Sequence, residues 1–311
     1  MQRADIEKLA AELSRPSANR EPNARAKEII DRIVLQLMLL IEEFDISPEE
    51  FWTALSRLTD LGATNQFGLL VAGLGLEHYF DVRLDEREEQ AGMATNGTPR
   101  TIEGPLYVAG APVCKGEARL DDGTEQTEIL FMDGTVKDTD GNPIPEALVE
   151  VWHANSLGNY SFFDKSQSDF NLRRSIIADA DGRYRFRSTM PVGYAVPPVS
   201  PTQSVLDLLG RHGRRPAHVH FMVSAPGYRL LTTQINIKGD PYIYDDFAFA
   251  TKEELIPEVE HHTAPVELAS RGVDRPFATI TFDFTLPHAV QGVPADLVHR
   301  TRAQAELAVA H

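Results

Sequence analysis

The sequence of 311 residues contains a single cysteine, Cys114, and no run of eighteen consecutive apolar residues. One cysteine cannot form an intrachain disulfide, so we expect a protein of a reducing compartment, the cytoplasm. A cysteine-rich zinc or iron–sulfur site is excluded too, and any metal must rely on His, Tyr, Asp or Glu. The lack of a long apolar run predicts that no helix spans a membrane. The first residues, MQRADIEKLAAEL, also lack the apolar core of a secretory signal.

Basic residues are too few for a nucleic-acid or anionic-membrane surface. Lys and Arg number 30 against 46 Asp and Glu, which gives a formal net charge of −16. Binding to phosphate backbones or acidic lipids needs the opposite balance. Hydrophobic residues make up 42% and charged residues 24%, as in an ordinary globular protein with a sizeable core.

The first ninety residues carry apolar side chains at helical spacing. A helix from about residue 23 to residue 44 contains IVLQLMLLI, Ile33 to Ile41, which is apolar on nearly every face. This pattern predicts a helix enclosed on several sides: a central core helix, or alternatively a subunit interface or a groove for a lipid-like ligand. Ser47-Pro48-Glu49-Glu50 predicts a capped helix start. A fourth helix is predicted from about Asn65.

The composition changes between Gly92 and Pro105, where Gly, Pro and Thr accumulate. Beyond this stretch the apolar period becomes two, and short predicted strands alternate with turns such as DTDGNPIP. A short helical insertion is predicted at residues 202–210 and a second insertion at residues 252–261. The tail after Pro294 is expected to be either a short terminal helix or a frayed end. The predicted fold class is α+β, mainly β: a helical domain of residues 1–100 precedes an antiparallel β-sandwich domain of residues 101–311.

One predicted strand lies in RRPAHVHF, Arg214 to Phe221, and places His218 and His220 on the same face. Two imidazoles side by side on a strand can supply two ligands to one metal ion. A histidine pair in a strand is as compatible with ordinary hydrogen-bonded packing. Two tyrosines are further candidates by context. Tyr160 in NSLGNYS and Tyr194 in MPVGYAVPP each follow a glycine at a predicted strand exit, where small residues admit a side chain to a crowded centre.

Several separate stretches of this sequence are similar to one enzyme family. Taken together, they resemble the intradiol ring-cleaving dioxygenases over nearly the whole chain. The stretches are TIEGPLYVAGAP (Thr101–Pro112), DGNPIPEALVEVWHANSLGNYS (Asp140–Ser161), MPVGYAVP (Met190–Pro197), RRPAHVHF (Arg214–Phe221), TTQIN (Thr232–Asn236) and YDDFAFAT (Tyr244–Thr251).

The resemblance implies one non-haem Fe(III) per subunit, held by Tyr160, Tyr194, His218 and His220. Ferric iron is a hard cation that prefers anionic oxygen, so the two phenolates suit it. It also implies that Tyr194 accepts a substrate proton and that Arg215 stabilises negative charge on the ring. Gln234 is expected to hydrogen-bond beside the iron. The expected wall of the substrate pocket consists of Leu69, Pro105, Leu106, Phe247 and Ala248.

The implied reaction is the cleavage of catechol by O2 to cis,cis-muconate, in aromatic-compound catabolism by the β-ketoadipate pathway. Chlorocatechol and hydroxyquinol remain alternative substrates, because one pocket change of methyl size shifts preference only modestly. The resemblance further implies a homodimer formed through the N-terminal helices, with room for a phospholipid or fatty acid at the interface.

Three other interpretations fit parts of the sequence. A cupin-type metal site also begins with H-x-H, but it needs a carboxylate that residues 222–227 do not offer. A zinc hydrolase would need a third histidine such as His153. A transthyretin-like, non-enzymatic binding sandwich explains the strand–turn–strand pattern but leaves Tyr160, Tyr194, Arg215 and the histidine pair without a role.

Overall fold

The computed structural model describes residues 1–18, 20–290 and the backbone of 303–304. The tail after Pro294, predicted to be a short helix or a frayed end, therefore lies outside the described side chains. The chain divides into two compact units, Met1–Asn65 and Gln66–His311. In the described part, no helix is long and apolar enough to cross a membrane.

The first unit consists of three helices, α1 (Arg3–Leu13), α2 (Ala24–Glu43) and α3 (Pro48–Ala63). The predicted start of α3 is confirmed: the Ser47 side chain accepts from the Glu50 amide and the Glu50 carboxylate accepts from the Ser47 amide. Asn23 caps α2 by accepting from the amide of Ala26. Each cap satisfies a backbone donor that the helix itself cannot pair.

Helix α2 is not enclosed within the chain. None of its residues is buried, although its centre is apolar on nearly every face. The prediction of a central core helix is therefore wrong, since the described residues leave these side chains open to solvent. The exposed set is Ile29, Ile30, Ile33, Val34, Leu37 and Leu40, each between 38% and 57% exposed.

The second unit contains the remaining described elements. Its helices are α4 (Phe67–Gly73), α5 (Leu76–Gln90), α6 (Pro201–Leu208) and α7 (Pro265–Arg271). Its strands are β1 (Val108–Ala109), β2 (Val113–Lys115), β3 (Glu117–Arg119), β4 (Ile129–Asp138), β5 (Leu148–His153), β6 (Arg173–Ile177), β7 (Arg183–Thr189), β8 (Tyr194–Ala195), β9 (Arg214–Arg215), β10 (His218–Ser224), β11 (Leu231–Asn236), β12 (Glu260–His262), β13 (Phe277–Thr281), β14 (Phe284–Leu286) and β15 (Ala303–Gln304).

Two larger sheets share one hydrophobic core. A five-stranded sheet has the order β11-β10-β5-β6-β2, and a six-stranded one has the order β12-β13-β4-β7-β3 with β14 also on β4. Phe221 of the first sheet packs against Tyr184 and Phe284 of the second, with ring centroids 6.4 and 5.0 Å apart. The sheets are mixed: the central pairings are antiparallel, but β2, β3, β13 and β14 pair in parallel. The expectation of a purely antiparallel arrangement is therefore wrong for these strands, because each reaches its partner through a long crossover rather than a hairpin.

The predicted fourth helix is two helices, α4 and α5, because Gly75 takes a left-handed conformation with φ of 74° between them. Both belong to the second unit, whereas the change in composition predicts a boundary near residue 100. Contacts with the segment that leads to β1 explain their grouping. Arg100 forms ion pairs with Asp85 and Glu88 of α5, and the Glu77 carboxylate accepts from the Gly104 amide.

Candidate metal centre and substrate pocket

The two candidate histidines lie on β10, which runs between β5 and β11 in the five-stranded sheet. Strand alternation brings His218 and His220 to one face, and both are at most 2% exposed. Their Nε2 atoms are only 3.0 Å apart. The sheet therefore aims two imidazole nitrogens at the same point.

The orientation of His218 is fixed by its other ring nitrogen. Nδ1 donates to the carbonyl oxygen of Pro216 at 2.6 Å, so Nε2 of the neutral ring keeps its lone pair. Burial and the neighbouring Arg215 lower the pKa of His218 to about 3, which keeps the ring neutral. A hydrogen bond from the outer nitrogen to a carbonyl is the usual support of a metal-ligating histidine.

The ring of His220 is held by stacking. It lies parallel to the indole of Trp152 on β5, with 4.9 Å between centroids and 3° between planes. The strand register places these two residues opposite each other. Tyr107 packs edge-on against the same indole, with 5.0 Å between centroids, so the imidazole plane is set by aromatic packing.

Tyr160 approaches the histidines from the loop after β5. Its hydroxyl oxygen is 3.4 Å from Nε2 of His218. The loop is shaped by Asn155, whose side-chain oxygen accepts from the amides of Leu157 and Asn159. Burial, and the adjacent Tyr194, raise the pKa of Tyr160 well above its ordinary value. The phenol therefore releases its proton only if a strong positive charge enters the site.

Tyr194 reaches the same place from β8, a two-residue strand that pairs with β9 and sets Tyr194 opposite Arg215. Its ring centroid is 5.5 Å from those of Tyr160 and His218. The close approach depends on Gly158, where an added Cβ would meet the Cβ of Tyr194 at 2.7 Å. The sequence argument that glycine admits a tyrosine to this centre therefore agrees with the local geometry.

Arg215 lies fully inside the site. Its Nη1 is 3.2 Å from Nε2 of His218, and its Nη2 donates to the side-chain oxygen of Gln234 at 2.6 Å. Gln234 stands opposite His220 on β11 and donates in turn to Asn236 at 2.7 Å. Arg215, Gln234 and Asn236 thus form a hydrogen-bonded network beside the histidine pair.

Asp246 is a site residue that sequence analysis missed. Its carboxylate accepts from Nε and Nη2 of Arg215 at 3.1 and 3.0 Å, and also from the amides of Ala248 and Ala250. Burial lowers the pKa of Arg215, but Asp246, together with Tyr194 and Tyr160, raises that pKa above its ordinary value. Burial raises the pKa of Asp246, but Arg215 brings it below its ordinary value. The pair therefore stays ionised.

All five residues predicted to form the pocket wall lie around one cavity next to this cluster. Sequence analysis missed three further lining residues, Ala72, Ile102 and Gly104, whose positions depend on how the segments pack. The lining is Leu69, Ala72, Ile102, Gly104, Pro105, Leu106, Tyr194, Arg215, His220, Phe247 and Ala248. The cavity is mainly apolar, with the polar side chains on the side of the histidines.

His153 does not join the cluster. Its Nδ1 bonds the carbonyl of Ala154 at 2.7 Å and its Nε2 bonds the hydroxyl of Ser188 at 2.6 Å. Burial lowers its pKa to about 4, so it is a neutral core residue. Among the residues that the structure describes, no three His, Cys, Asp or Glu side chains are grouped to hold a metal ion. The third histidine of a zinc site is therefore not supplied by His153.

Comparisons with known proteins identify the family. Family models described as "Catechol dioxygenase N terminus" and "Dioxygenase" match residues 23–92 and 102–288. Catechol 1,2-dioxygenase 2 of Acinetobacter lwoffii is 62% identical over 82% of this chain and 92% of that protein. The crystal structure of wild-type catechol 1,2-dioxygenase of Acinetobacter radioresistens is 53% identical, with a TM-score of 0.94 over 98% of this chain and 99% of that one. Chlorocatechol 1,2-dioxygenase of Rhodococcus opacus is 34% identical over 75% of this chain and 90% of that protein.

The chain therefore belongs to the catechol dioxygenases, a family of intradiol ring-cleaving enzymes. The resemblance deduced from the sequence motifs is confirmed. The mixed α/β fold of this chain is similar to that of the catechol 1,2-dioxygenase of Acinetobacter radioresistens.

Proposed function

We propose that this protein cleaves catechol with O2 to cis,cis-muconate, using one Fe(III) per subunit. The observation that carries the proposal is the convergence of four donor side chains beside an apolar cavity. Tyr160, Tyr194, His218 and His220 would hold the metal. Two imidazole nitrogens 3.0 Å apart, with a phenol oxygen 3.4 Å from one of them, converge as the ligands of one metal ion do.

The donor set fits a ferric ion. His218 presents a neutral nitrogen because its other nitrogen donates to a carbonyl. Two phenolates are hard anionic donors that offset most of the charge of a trivalent cation. When bound, ferric iron would act as a Lewis acid toward a catecholate and make its ring reactive toward O2.

Side chains around the cavity would orient the substrate and stabilise the negative charge that develops on it. The ring of catechol would lie against the apolar walls formed by Leu69, Pro105 and Phe247. The phenolate oxygen of Tyr194 would accept one hydroxyl proton as catechol binds. The guanidinium of Arg215, fixed by Asp246, would stabilise negative charge that develops on the ring in this dry pocket.

Catechol is favoured over substituted catechols as the substrate. The relative named catechol 1,2-dioxygenase 2 is 62% identical to this chain, against 34% for the relative named chlorocatechol 1,2-dioxygenase. Hydroxyquinol and chlorocatechol remain alternatives with the same chemistry, because the ligand set does not distinguish among them.

A visible spectrum of the protein loaded with Fe(III), before and after anaerobic catechol, tests the proposal. Tyrosinate bound to ferric iron gives an intense charge-transfer band, so the loaded protein is expected to be red. Anaerobic catechol should broaden the band and shift it to longer wavelength. Admission of air should then yield one equivalent of cis,cis-muconate. A protein that stays colourless after ferric loading would contradict tyrosine ligation and favour a non-enzymatic binding sandwich.

We further propose that residues 101–311 form a β-sandwich catalytic domain and that residues 1–100 include the dimerisation helices, in a cytoplasmic homodimer. The apolar face that α2 leaves exposed supports the dimer. A groove lined by α1 and α2 residues combines apolar side chains with two arginines, Arg25 and Arg32, and with the carboxylates of Glu7, Glu28 and Asp31. Its apolar part would take the acyl chain of a fatty acid or phospholipid and an arginine would take the head group.

Sedimentation at micromolar concentration should give twice the mass of one chain. Ile33→Glu, which places a charge in the exposed apolar face of α2, should shift the protein to the monomer. Val266→Glu is the matched control, because Val266 is an exposed apolar residue of α7. A wild-type protein that sediments as a monomer would refute the dimer.

A further inference from the structure

Arg173, on β6, is a buried cation to which neither the sequence motifs nor the proposed chemistry assigns a role. It is 1% exposed. Its Nε donates to the hydroxyl of Ser161 at 2.9 Å and its Nη2 to the Ser161 carbonyl at 3.0 Å. Its Nη1 donates to the carbonyl of Leu106 at 2.9 Å. All three acceptors are uncharged.

The other buried arginines of this unit differ in this respect. Arg100 forms ion pairs with Asp85 and Glu88, and Arg215 forms one with Asp246. Among the described residues, Arg173 has no carboxylate within ion-pairing distance. A guanidinium stays protonated in proteins, and burying it without a counter-charge is costly. An anion that forms close to Arg173 would therefore stabilise its buried charge.

Tyr160 lies beside Arg173 and becomes an anion if it ligates a metal ion. The Arg173 guanidinium carbon lies 5.7 Å from the centroid of the Tyr160 ring. Ser161, which receives two of the three hydrogen bonds, directly follows Tyr160 in the chain and is itself fixed by donating to the Asn171 carbonyl at 2.5 Å. Leu106, which receives the third, lines the substrate cavity.

We propose that Arg173 is a positioning residue that ties the Tyr160 loop to the Leu106 wall and supplies a fixed positive charge beside the Tyr160 phenolate. This inference rests on the proposed function, in which Tyr160 is a ferric ligand. The hydrogen bonds of this guanidinium would thus hold both a metal ligand and the pocket wall in position. Its charge would offset the negative charge of the phenolate, and Arg173 would not bind the substrate.

The test compares the charge-transfer band of the ferric protein in Arg173→Met, Arg173→Lys and Arg174→Met. Arg174 is the matched control, because it neighbours Arg173 on the strand, is only half-buried and bonds backbone carbonyls. Loss of the charge beside the phenolate raises the energy of its electrons. Arg173→Met should therefore shift the band to longer wavelength, on the order of ten nanometres. Arg173→Lys should shift it much less, and Arg174→Met should leave it in place.

A wild-type band in a folded Arg173→Met protein would overturn the inference, as would an equal shift in the lysine and methionine variants. Arg173→Gln, which keeps side-chain donors without the charge, replaces the methionine variant if that protein does not fold. Failure of the wild-type protein to develop any band would instead refute ferric ligation, so failure of the inference and failure of the proposed function give different results.

Discussion

Arg215→Ala is expected to lower kcat for catechol cleavage by about 10²- to 10³-fold while changing KM far less. The guanidinium is fully buried, 3.2 Å from a nitrogen of the histidine pair, and lines the pocket. A charge held there acts mainly on the negative charge that develops in the transition state, since an apolar wall already holds the ring. Steady-state kinetics with catechol gives both constants.

Arg214→Ala is the matched control for this experiment. Arg214 is the preceding residue of β9 but is exposed, with its guanidinium over the ring of Tyr242. It should retain near wild-type kinetics. Because Arg215→Ala leaves the Asp246 carboxylate buried without its partner, the double variant Arg215→Ala/Asp246→Asn separates lost chemistry from lost stability. A rise in KM alone, with kcat unchanged, would show that Arg215 binds substrate but does not stabilise the transition state.

The positions of some site residues follow from local sequence and those of others do not. His218 and His220 share a face because strands alternate, which is a property of the chain over three residues. The glycines shortly before Tyr160 and Tyr194, which are Gly158 and Gly193, are likewise a local signal of crowding, and an added Cβ on Gly158 would meet the Cβ of Tyr194 at 2.7 Å. The assignment of these four side chains to iron, however, came from the resemblance to the dioxygenase family and stays a prediction.

Long-range packing decided what the sequence could not indicate. Nothing local distinguishes Asp246 from its neighbour Asp245, yet one is buried against Arg215, 31 residues away, and the other is exposed beside His212. Arg173 likewise bonds Leu106 across 67 residues. Both roles depend on which strands become neighbours, and residue pattern alone does not specify that.

The all-round apolar pattern of α2 illustrates a different limit. The hydrophobicity of a helix predicts that its apolar surface will be buried. It does not indicate whether the residues that bury it belong to the same chain or to another molecule. The interior of the chain was the simpler expectation, and the structure leaves the helix uncovered by the described residues. Periodicity also failed at Gly75, where one backbone conformation divides a continuous helical pattern into α4 and α5.

Asp246→Asn is expected to destabilise the protein by about 3–5 kcal/mol, because it leaves the Arg215 charge buried without its partner. Asp245→Asn, at the adjacent exposed carboxylate, should change stability by less than about 0.5 kcal/mol. Thermal unfolding should therefore give a Tm lower by about ten degrees for the first variant and an unchanged Tm for the second.

The pH dependence of the same measurement provides an independent check on the cause. Because Arg215 depresses the folded-state pKa of Asp246 below its ordinary value of 3.8, the ion pair stabilises the fold fully above that value. Its contribution is lost as the pH falls through the folded-state pKa. The stability difference between wild type and Asp246→Asn should accordingly be constant near neutral pH and shrink in acid below pH 3.8. A difference that persists unchanged to lower pH would mean that the carboxylate acts through its shape and its bonds to the Ala248 and Ala250 amides, and that its charge contributes little.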